Sequence, residues 1–145
     1  LLPQIDTRFG LGCGPVSVLD PVRGIEDGPG WWAAREAIER VEAESRGALR
    51  ALRTGYTATA RDEAPDDATP DPLARAVAGA LHFRDHVLGT ATPRSLRLLG
   101  GLLAGANQAE LAVAEGISPS AVSQRVRTDA LALLLDAEQN LWRLP

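Results

Sequence analysis

The fold of the C-terminal part of the chain is decided by residues 107–127, NQAELAVAEGISPSAVSQRVR. A short helical pattern opens this stretch and ends at Gly116, which can adopt the left-handed backbone conformation that turns a chain. Ser118 then places a capping side chain before Pro119, and proline is tolerated at a first helical position because its amide would be unpaired there. The stretch therefore predicts two helices joined by a tight turn.

The spacing of small and apolar residues in this stretch is that of a helix-turn-helix motif. Ala112 is small, as is needed where two helices cross closely, and Ile117, Val122 and Val126 are placed to fill the angle between the helices. In that geometry the second helix presents its N-terminus and outer face to the DNA major groove. The competing interpretation is a plain corner between two helices whose Ser and Gln side chains are merely solvated.

The polar residues of the second helix carry groups that can read DNA. Gln124 can pair with adenine through two hydrogen bonds, and Arg127 can bind guanine or a phosphate. Backbone amides at the start of the helix can receive a phosphate, and arginines on the preceding helix could set the register on the DNA backbone. The residues predicted to contact DNA are Ser118, Pro119, Ser120, Ser123, Gln124, Arg125, Arg127, Arg94 and Arg97.

Further start and stop signals predict helices near 72–88, 93–104, 108–115 and 119–141. Asp71-Pro72 and Thr92-Pro93 repeat the arrangement of a capping residue before proline, and Asn107 with Glu110 forms the pattern of a capping box. We expect Gly89, Gly105 and Gly116 to end the first three helices. Paired glycines at 100 and 101 predict either a kink or the very close approach of another segment.

The last helix carries apolar residues on two faces. Val126, Ala130, Leu133, Ala137 and Leu141 form the face expected to pack on the protein's own helices. Leu131, Leu134 and Leu135 then need a second surface. A homodimer through this C-terminal helix would supply it and suits a motif that reads two half-sites; packing against the N-terminal module is the alternative.

The N-terminal part reads as α/β. Residues 5–19 alternate as a strand pair or a bent strand, and the glycines at 10, 12 and 14 favour the close approach of another element over a phosphate-binding loop. A helix is predicted from Pro29 to about Arg53, with Trp31 and Trp32 as packing anchors, and a second strand over 52–59. The expected domains are 1–60, an acidic linker over 61–71, and a helical domain over 72–145.

Composition excludes several classes of protein. No apolar run approaches the roughly 20 residues that span a bilayer, and a net charge of −4 argues against a nonspecific polyanion binder. The chain has no Met and no Lys, so we expect a piece of a longer product from a GC-rich, bacterial genome. One cysteine, Cys13, favours a cytoplasmic setting. His82 and His86 have zinc-compatible spacing but lack an obvious third ligand, so no metal or cofactor is expected.

Three segments together resemble the SatD family of bacterial proteins: Arg8–Gly12 (RFGLG), Asp27–Glu39 (DGPGWWAAREAIE) and Gly116–Arg125 (GISPSAVSQR). The resemblance implies a C-terminal helix-turn-helix and an N-terminal region similar to the ferredoxin-like palm of nucleotide cyclases, truncated here. The expected fold is therefore α+β, with a small partial ferredoxin-like region followed by an all-α helix-turn-helix domain.

These observations favour a cytoplasmic transcriptional regulator that binds double-stranded DNA and is not an enzyme. Two alternatives stay open. One is a nucleotide or small-ligand sensor built on a cyclase-like palm, with the helices used for protein–protein assembly. The other is a pure protein-interaction module.

Overall fold

A computed structural model describes residues 7–59, 71–141 and 143. The fold is α+β, as expected, with four short strands and six helices among these residues. The chain divides into two compact units, residues 1–86 and residues 87–145. The acidic stretch 61–70, expected as a linker, lies outside the described residues, as does the start of the predicted 5–19 strand region.

The first unit is built around a parallel strand pair. Strand β1 (Phe9–Cys13) pairs with β4 (Thr54–Ala58), and helix α1 (Pro29–Ser45) connects them and packs on both. The two parallel strands are direct neighbours, whereas a split β-α-β unit of the ferredoxin-like kind has another strand between them. The palm-like arrangement therefore stays an expectation from the resemblance alone.

The glycines of β1 allow α1 to lie directly on the strand backbone. A Cβ atom at Gly10 would overlap the Ala34 carbonyl of α1, and one at Gly12 would overlap the Gly30 carbonyl. Gly55 of β4 stands in the same relation to Ala37. The prediction that these glycines permit close approach is confirmed, and the helix fills the space that a bound phosphate would need.

A small antiparallel hairpin follows β1. It consists of β2 (Ser17–Asp20) and β3 (Ile25–Asp27), and the Asp20 carboxylate stabilises its turn by accepting from the Val22 and Arg23 amides at 2.9 and 3.1 Å. The described part of the predicted 5–19 region is thus two strands that belong to different sheets, rather than a pair or one bent strand.

Helix α1 is shorter than predicted and buries a different face. It ends at Ser45 instead of near Arg53, and its buried residues are Gly30, Ala33, Ala37 and Val41. Trp31 and Trp32 are both more than half exposed, so the prediction that they are packing anchors is wrong. The sheet lies so close to the helix that no residue buried between them is larger than valine, and the indoles are turned outward.

Helix α2 (Pro72–Thr90) is tied to the first unit by a buried carboxylate. Asp85 accepts from the Arg53 and Thr54 amides at 2.7 and 2.6 Å and from the Thr54 hydroxyl at 3.1 Å. Because of this anchor the boundary between units falls at 86/87, within α2, rather than in the predicted 61–71 linker. Gly89 lies inside α2 and does not end it, contrary to the prediction.

The second unit is entirely helical. Its helices are α3 (Pro93–Leu103), α4 (Gln108–Glu115), α5 (Pro119–Thr128) and α6 (Leu131–Leu141). Their starts agree with the sequence prediction, except that the last predicted helix is broken. Ala130 adopts a φ of 57°, which separates α5 from α6. The buried core consists of Leu98, Leu99, Leu111, Ala112, Val122, Val126, Leu131 and Leu134.

Helix α6 packs through the face that was expected to need a partner. Leu131 and Leu134 are buried in the core and Leu135 packs against it, whereas Leu133 is exposed. The break at Ala130 rotates α6 relative to a continuous helix, so that Leu131 and Leu134 turn inward and Leu133 turns outward. Leu131, Leu134 and Leu135 therefore have their packing partners within the unit, and the homodimer through α6 stays a prediction.

Candidate nucleic-acid interface

Helices α4 and α5 form a helix-turn-helix whose ends are capped as the sequence predicts. The Asn107 side chain accepts from the Ala109 and Glu110 amides at 2.9 and 3.0 Å, and the Glu110 carboxylate accepts from the Asn107 amide at 2.9 Å. Gly116 has a φ of 63° and closes α4, and Ser118 caps α5 by accepting from the Ala121 amide at 3.2 Å. The turn is thus fixed at both ends.

The inner face of α5 is apolar and its outer face is polar. Val122 and Val126 are buried, one turn apart, and Ile117 and Ala112 pack in the angle between the helices, as predicted. Ser120, Gln124 and Arg127 follow one another at intervals of four and three residues on the exposed side, and Thr128 lies beside them. This face thus presents hydroxyl, amide and guanidinium groups.

Helix α3 supports the motif through one close contact. A Cβ atom at Gly101 would overlap the Leu111 side chain of α4, whereas Gly100 faces open space. Of the two explanations predicted for the paired glycines, the close approach of another segment therefore applies at Gly101. The contact sets how near α4 can come to α3.

A carboxylate of α4 holds the two arginines of α3. The Arg97 Nε and Nη2 atoms donate to the two oxygens of Glu115 at 2.7 Å each, and Arg94 Nε donates to Glu115 Oε2 at 3.3 Å. These hydrogen bonds, that from Arg97 above all, lower the pKa of the mostly buried Glu115 carboxyl. Arg94 and Arg97 were predicted to contact the DNA backbone, and this stays a prediction: each has a carboxylate partner within the protein, while their side chains are 42% and 58% exposed.

A second polar cluster fixes the end of α5. The buried Ser95 hydroxyl donates to Asp129 Oδ2 at 2.5 Å, and Arg125 Nη1 lies 3.4 Å from the same oxygen. The hydrogen bond from Ser95 lowers the pKa of Asp129. Arg125 therefore points toward the body of the unit. Sequence reasoning missed Glu115, Asp129 and Ser95 because their roles depend on contacts between helices.

Six of the nine predicted DNA-contacting residues lie together on one exposed surface. This surface, here called the α5 outer surface, combines the start of α5 with its polar face. The hydroxyl oxygens of Ser118 and Ser120 are 2.9 Å apart, and Arg127 Nη1 donates to the Ser123 hydroxyl at 2.9 Å. The α5 outer surface consists of Ser118, Pro119, Ser120, Ser123, Gln124 and Arg127.

The charge available for binding phosphate is small. Residues 87–145 contain five arginines and five carboxylates, and three of the arginines, Arg94, Arg97 and Arg125, pair with carboxylates. Arg127 has no carboxylate partner among the described residues. Any recognition of DNA by this unit therefore depends on hydrogen bonds from the α5 outer surface more than on net charge.

Candidate metal sites and membrane spans were sought in the described ranges. Within residues 7–59 and 71–141, no group of three or more His, Cys, Asp and Glu side chains is arranged to hold a metal ion. His82 and His86 lie on α2 without a third ligand from these ranges. No helix in the same ranges has the length and apolar character to cross a membrane.

Comparison with known proteins does not assign the chain to a family. No protein-family model matches it, and no curated protein sequence and no solved structure matches it either. The resemblance to the SatD family therefore stays a prediction from the three segments quoted above.

Proposed function

We propose that the protein binds double-stranded DNA in a sequence-specific manner and acts as a transcriptional regulator, with α5 in the major groove. The observation that carries the proposal is the α5 outer surface. It sits on a capped helix-turn-helix whose opposite side is locked into a core by Val122 and Val126. A rigid scaffold that presents short polar side chains is what reading of base edges requires.

Individual residues then take distinct roles. Gln124, in the middle of the exposed side, pairs with an adenine, and the Ser120 hydroxyl contacts a neighbouring base edge. Arg127 is directed by Ser123 toward the start of the helix and binds a guanine or a phosphate. The Ser120 amide, which precedes the Ala121 amide that Ser118 caps, donates to a phosphate at the helix N-terminus, since Pro119 has no amide hydrogen. Arg94 and Arg97 hold α4 in place through Glu115 instead of touching DNA.

Because three arginines are paired with carboxylates, the proposal predicts a particular salt dependence of DNA binding. Each phosphate neutralised by a cationic side chain contributes about −0.9 to the slope of log K against log salt concentration. With Arg94, Arg97 and Arg125 engaged by carboxylates, we expect a slope between about −1 and −3. A regulator that holds DNA mainly by charge would give a much steeper slope.

The test is selection of binding sites from a random double-stranded DNA library, followed by fluorescence anisotropy on the enriched site and on a scrambled version. Gln124→Ala and Arg127→Ala should each weaken binding to the enriched site by about 1–3 kcal/mol. Gln139→Ala, which alters an exposed glutamine of α6, serves as the matched control and should bind like the unmodified chain.

Failure of any sequence to be enriched by the folded chain at low salt would contradict DNA recognition. Equal loss of affinity in Gln124→Ala and Gln139→Ala would contradict the role of the α5 outer surface. In the first case the sensor alternative, in which the helices serve assembly, becomes the leading one, and nucleotide binding is the next measurement.

The proposal has two consequences for identity and setting. A bacterial regulator needs access to the chromosome, so we place the protein in the cytoplasm. The SatD-like arrangement would make the first unit a module that modulates the helix-turn-helix.

A further inference from the structure

One edge of strand β1 has no partner strand in the part of the chain that the structure describes. The Phe9 amide donates to the Arg53 carbonyl at 2.8 Å, and the Cys13 carbonyl accepts from the Thr59 amide at 2.8 Å, so residues 9, 11 and 13 turn their backbone groups toward β4. Because alternate residues of a strand turn to opposite sides, Gly10 and Gly12 direct their amides and carbonyls to the other edge. Among the described residues no strand pairs with that edge.

The opposite edge of the pair is occupied at its start. Thr54 of β4 turns its amide away from β1, and the Asp85 carboxylate of α2 accepts from it at 2.6 Å. A buried carboxylate at this position prevents another strand from continuing the ladder there. The two edges are therefore unequal, since β4 is closed at its start and β1 is open.

Apolar side chains flank the open edge on both faces of the sheet. Phe9 and Leu11 are on the face opposite α1 and are 48% and 45% exposed. On the α1 face, Ile38 lies against Gly10 and is 37% exposed. Trp31, two turns earlier on the same flank of α1, is 51% exposed. A strand added at this edge would thus be covered by apolar groups above and below.

The edge also lacks two of the features by which proteins prevent strands from pairing, namely charged residues and proline. No charged residue occurs from Phe9 to Leu19, and β1 itself, FGLGC, contains neither proline nor lysine. An exposed, uncharged edge with apolar flanks favours addition of a strand.

We propose that β1 pairs with β1 of a second copy of this chain, antiparallel and with the register centred on Leu11. In this register Gly10 faces Gly12 of the partner strand and Gly12 faces Gly10, so every outward amide and carbonyl of both glycines is paired. Leu11 faces its own symmetry mate, and Phe9 faces Cys13. All six of these side chains lie on one face of the resulting four-stranded sheet.

A second copy is the occupant that β1 fits because the strand is complementary to itself. Its two glycines are equidistant from Leu11, as a two-fold axis through that residue requires. The four flanking side chains offer on the order of 400 Å² per chain, about half of the roughly 800 Å² that a standard interface takes from each partner. The dimer is thus expected to be weak, with a Kd in the micromolar range. The inference does not depend on DNA binding.

Disulfide formation tests the register directly. Residues that face each other without mutual hydrogen bonds have Cα atoms about 4.5 Å apart, within the range that a disulfide spans. Leu11→Cys in a Cys13→Ser background should form one intermolecular bridge, and Phe9→Cys should link its new thiol to the native Cys13 of the partner. The native Cys13 alone should not bridge, because four residues of offset separate the two thiols by about 13 Å. Leu19→Cys with Cys13→Ser, on the exposed β2, is the matched control.

Sedimentation equilibrium of the full chain, from about 20 to about 500 µM, measures the association itself. The unmodified chain should reach twice its 15.3 kDa mass. Leu11→Lys, which sets two like charges opposite each other, should weaken dimerisation at least about tenfold. Leu19→Lys should leave it unchanged.

The proposal is wrong if the unmodified chain stays monomeric throughout that concentration range. It is also wrong if Leu11→Lys dimerises as well as Leu19→Lys does, or if the cysteine at position 19 crosslinks as efficiently as the one at position 11. If circular dichroism shows that Leu11→Lys does not fold, the disulfide variants decide the question. An extended apolar partner other than a second copy would leave the purified chain monomeric and so counts against the proposal.

Discussion

The two units bury their apolar residues very differently. Among the described residues, residues 87–145 leave three large hydrophobic side chains exposed, namely Leu103, Val113 and Leu133. Residues 7–86 leave thirteen exposed: Phe9, Leu11, Val16, Val18, Leu19, Val22, Ile25, Trp31, Trp32, Ile38, Leu49, Leu73 and Phe83. Exposed apolar side chains are therefore concentrated in the first unit, whereas the helical unit covers most of its own.

The difference follows from how each unit makes its core. The helical unit interdigitates Leu and Val side chains from four helices, as ordinary helix packing requires. The first unit presses α1 onto two strands through Gly10, Gly12 and Gly55, which removes the space for large side chains between the layers. Thirteen of its large apolar residues are consequently outside, where a second surface can cover them, although Leu52 and Leu81 are buried.

The largest expected effect is the difference in unfolding free energy between truncating a buried leucine and truncating an exposed one. Leu98 of α3 is fully buried, and Leu98→Ala should lower the free energy of unfolding by about 2–5 kcal/mol because it leaves a cavity. Leu19→Ala, on the exposed β2, should change it by less than about 0.5 kcal/mol in the monomer. Urea denaturation followed by circular dichroism measures both. If Leu19→Ala lowers the free energy of unfolding as much as Leu98→Ala does, Leu19 is packed in a core and is not an exposed residue.

A smaller effect distinguishes the glycines of the two units. A methyl group at Gly12 would meet the backbone of α1 rather than a flexible side chain, so Gly12→Ala should destabilise the chain by about 1–3 kcal/mol. Gly100 of α3 faces open space, and Gly100→Ala should stabilise by up to about 1 kcal/mol through helix propensity. Thermal unfolding of the two variants gives the comparison. Equal shifts would contradict the close packing of α1 on β1.

Sequence reasoning succeeded where local chemistry determines structure. The capping residues Asn107 and Ser118, the turn at Gly116 and the burial of Val122 and Val126 were all predictable, because each depends on neighbours within a few residues. The close approach at the β1 glycines was predictable too, since few other roles suit glycine in a strand.

The failures concern contacts between distant segments. The exposure of Trp31 and Trp32 depends on how near the sheet lies to α1, and the anchoring of α2 depends on Asp85 meeting strand β4. The partner of Arg94 and Arg97 is Glu115, about twenty residues away. A positive φ at Ala130 has no sequence signal, because alanine rarely adopts that conformation, and it alone changes which face of α6 is buried.

The smallest expected effect depends on pH and tests how α3 and α4 are held together. Hydrogen bonds from Arg97 and Arg94 lower the pKa of Glu115 in the folded chain, so the unfolded state binds more protons in acid. The stabilisation is therefore present above the ordinary carboxyl pKa of 4.5 and is lost as the pH falls through the lower folded value. Glu115→Gln should lower the Tm at pH 7, and its Tm should approach that of the unmodified chain as the pH falls below the folded pKa of Glu115. Glu39→Gln, at an exposed glutamate of α1, is the control.

If Glu115→Gln unfolds at the same temperature as the unmodified chain at pH 7, the ion pairs between α3 and α4 do not contribute measurably to the stability of the fold. Arg94 and Arg97 would then be available to phosphate, and the salt dependence of DNA binding would steepen accordingly.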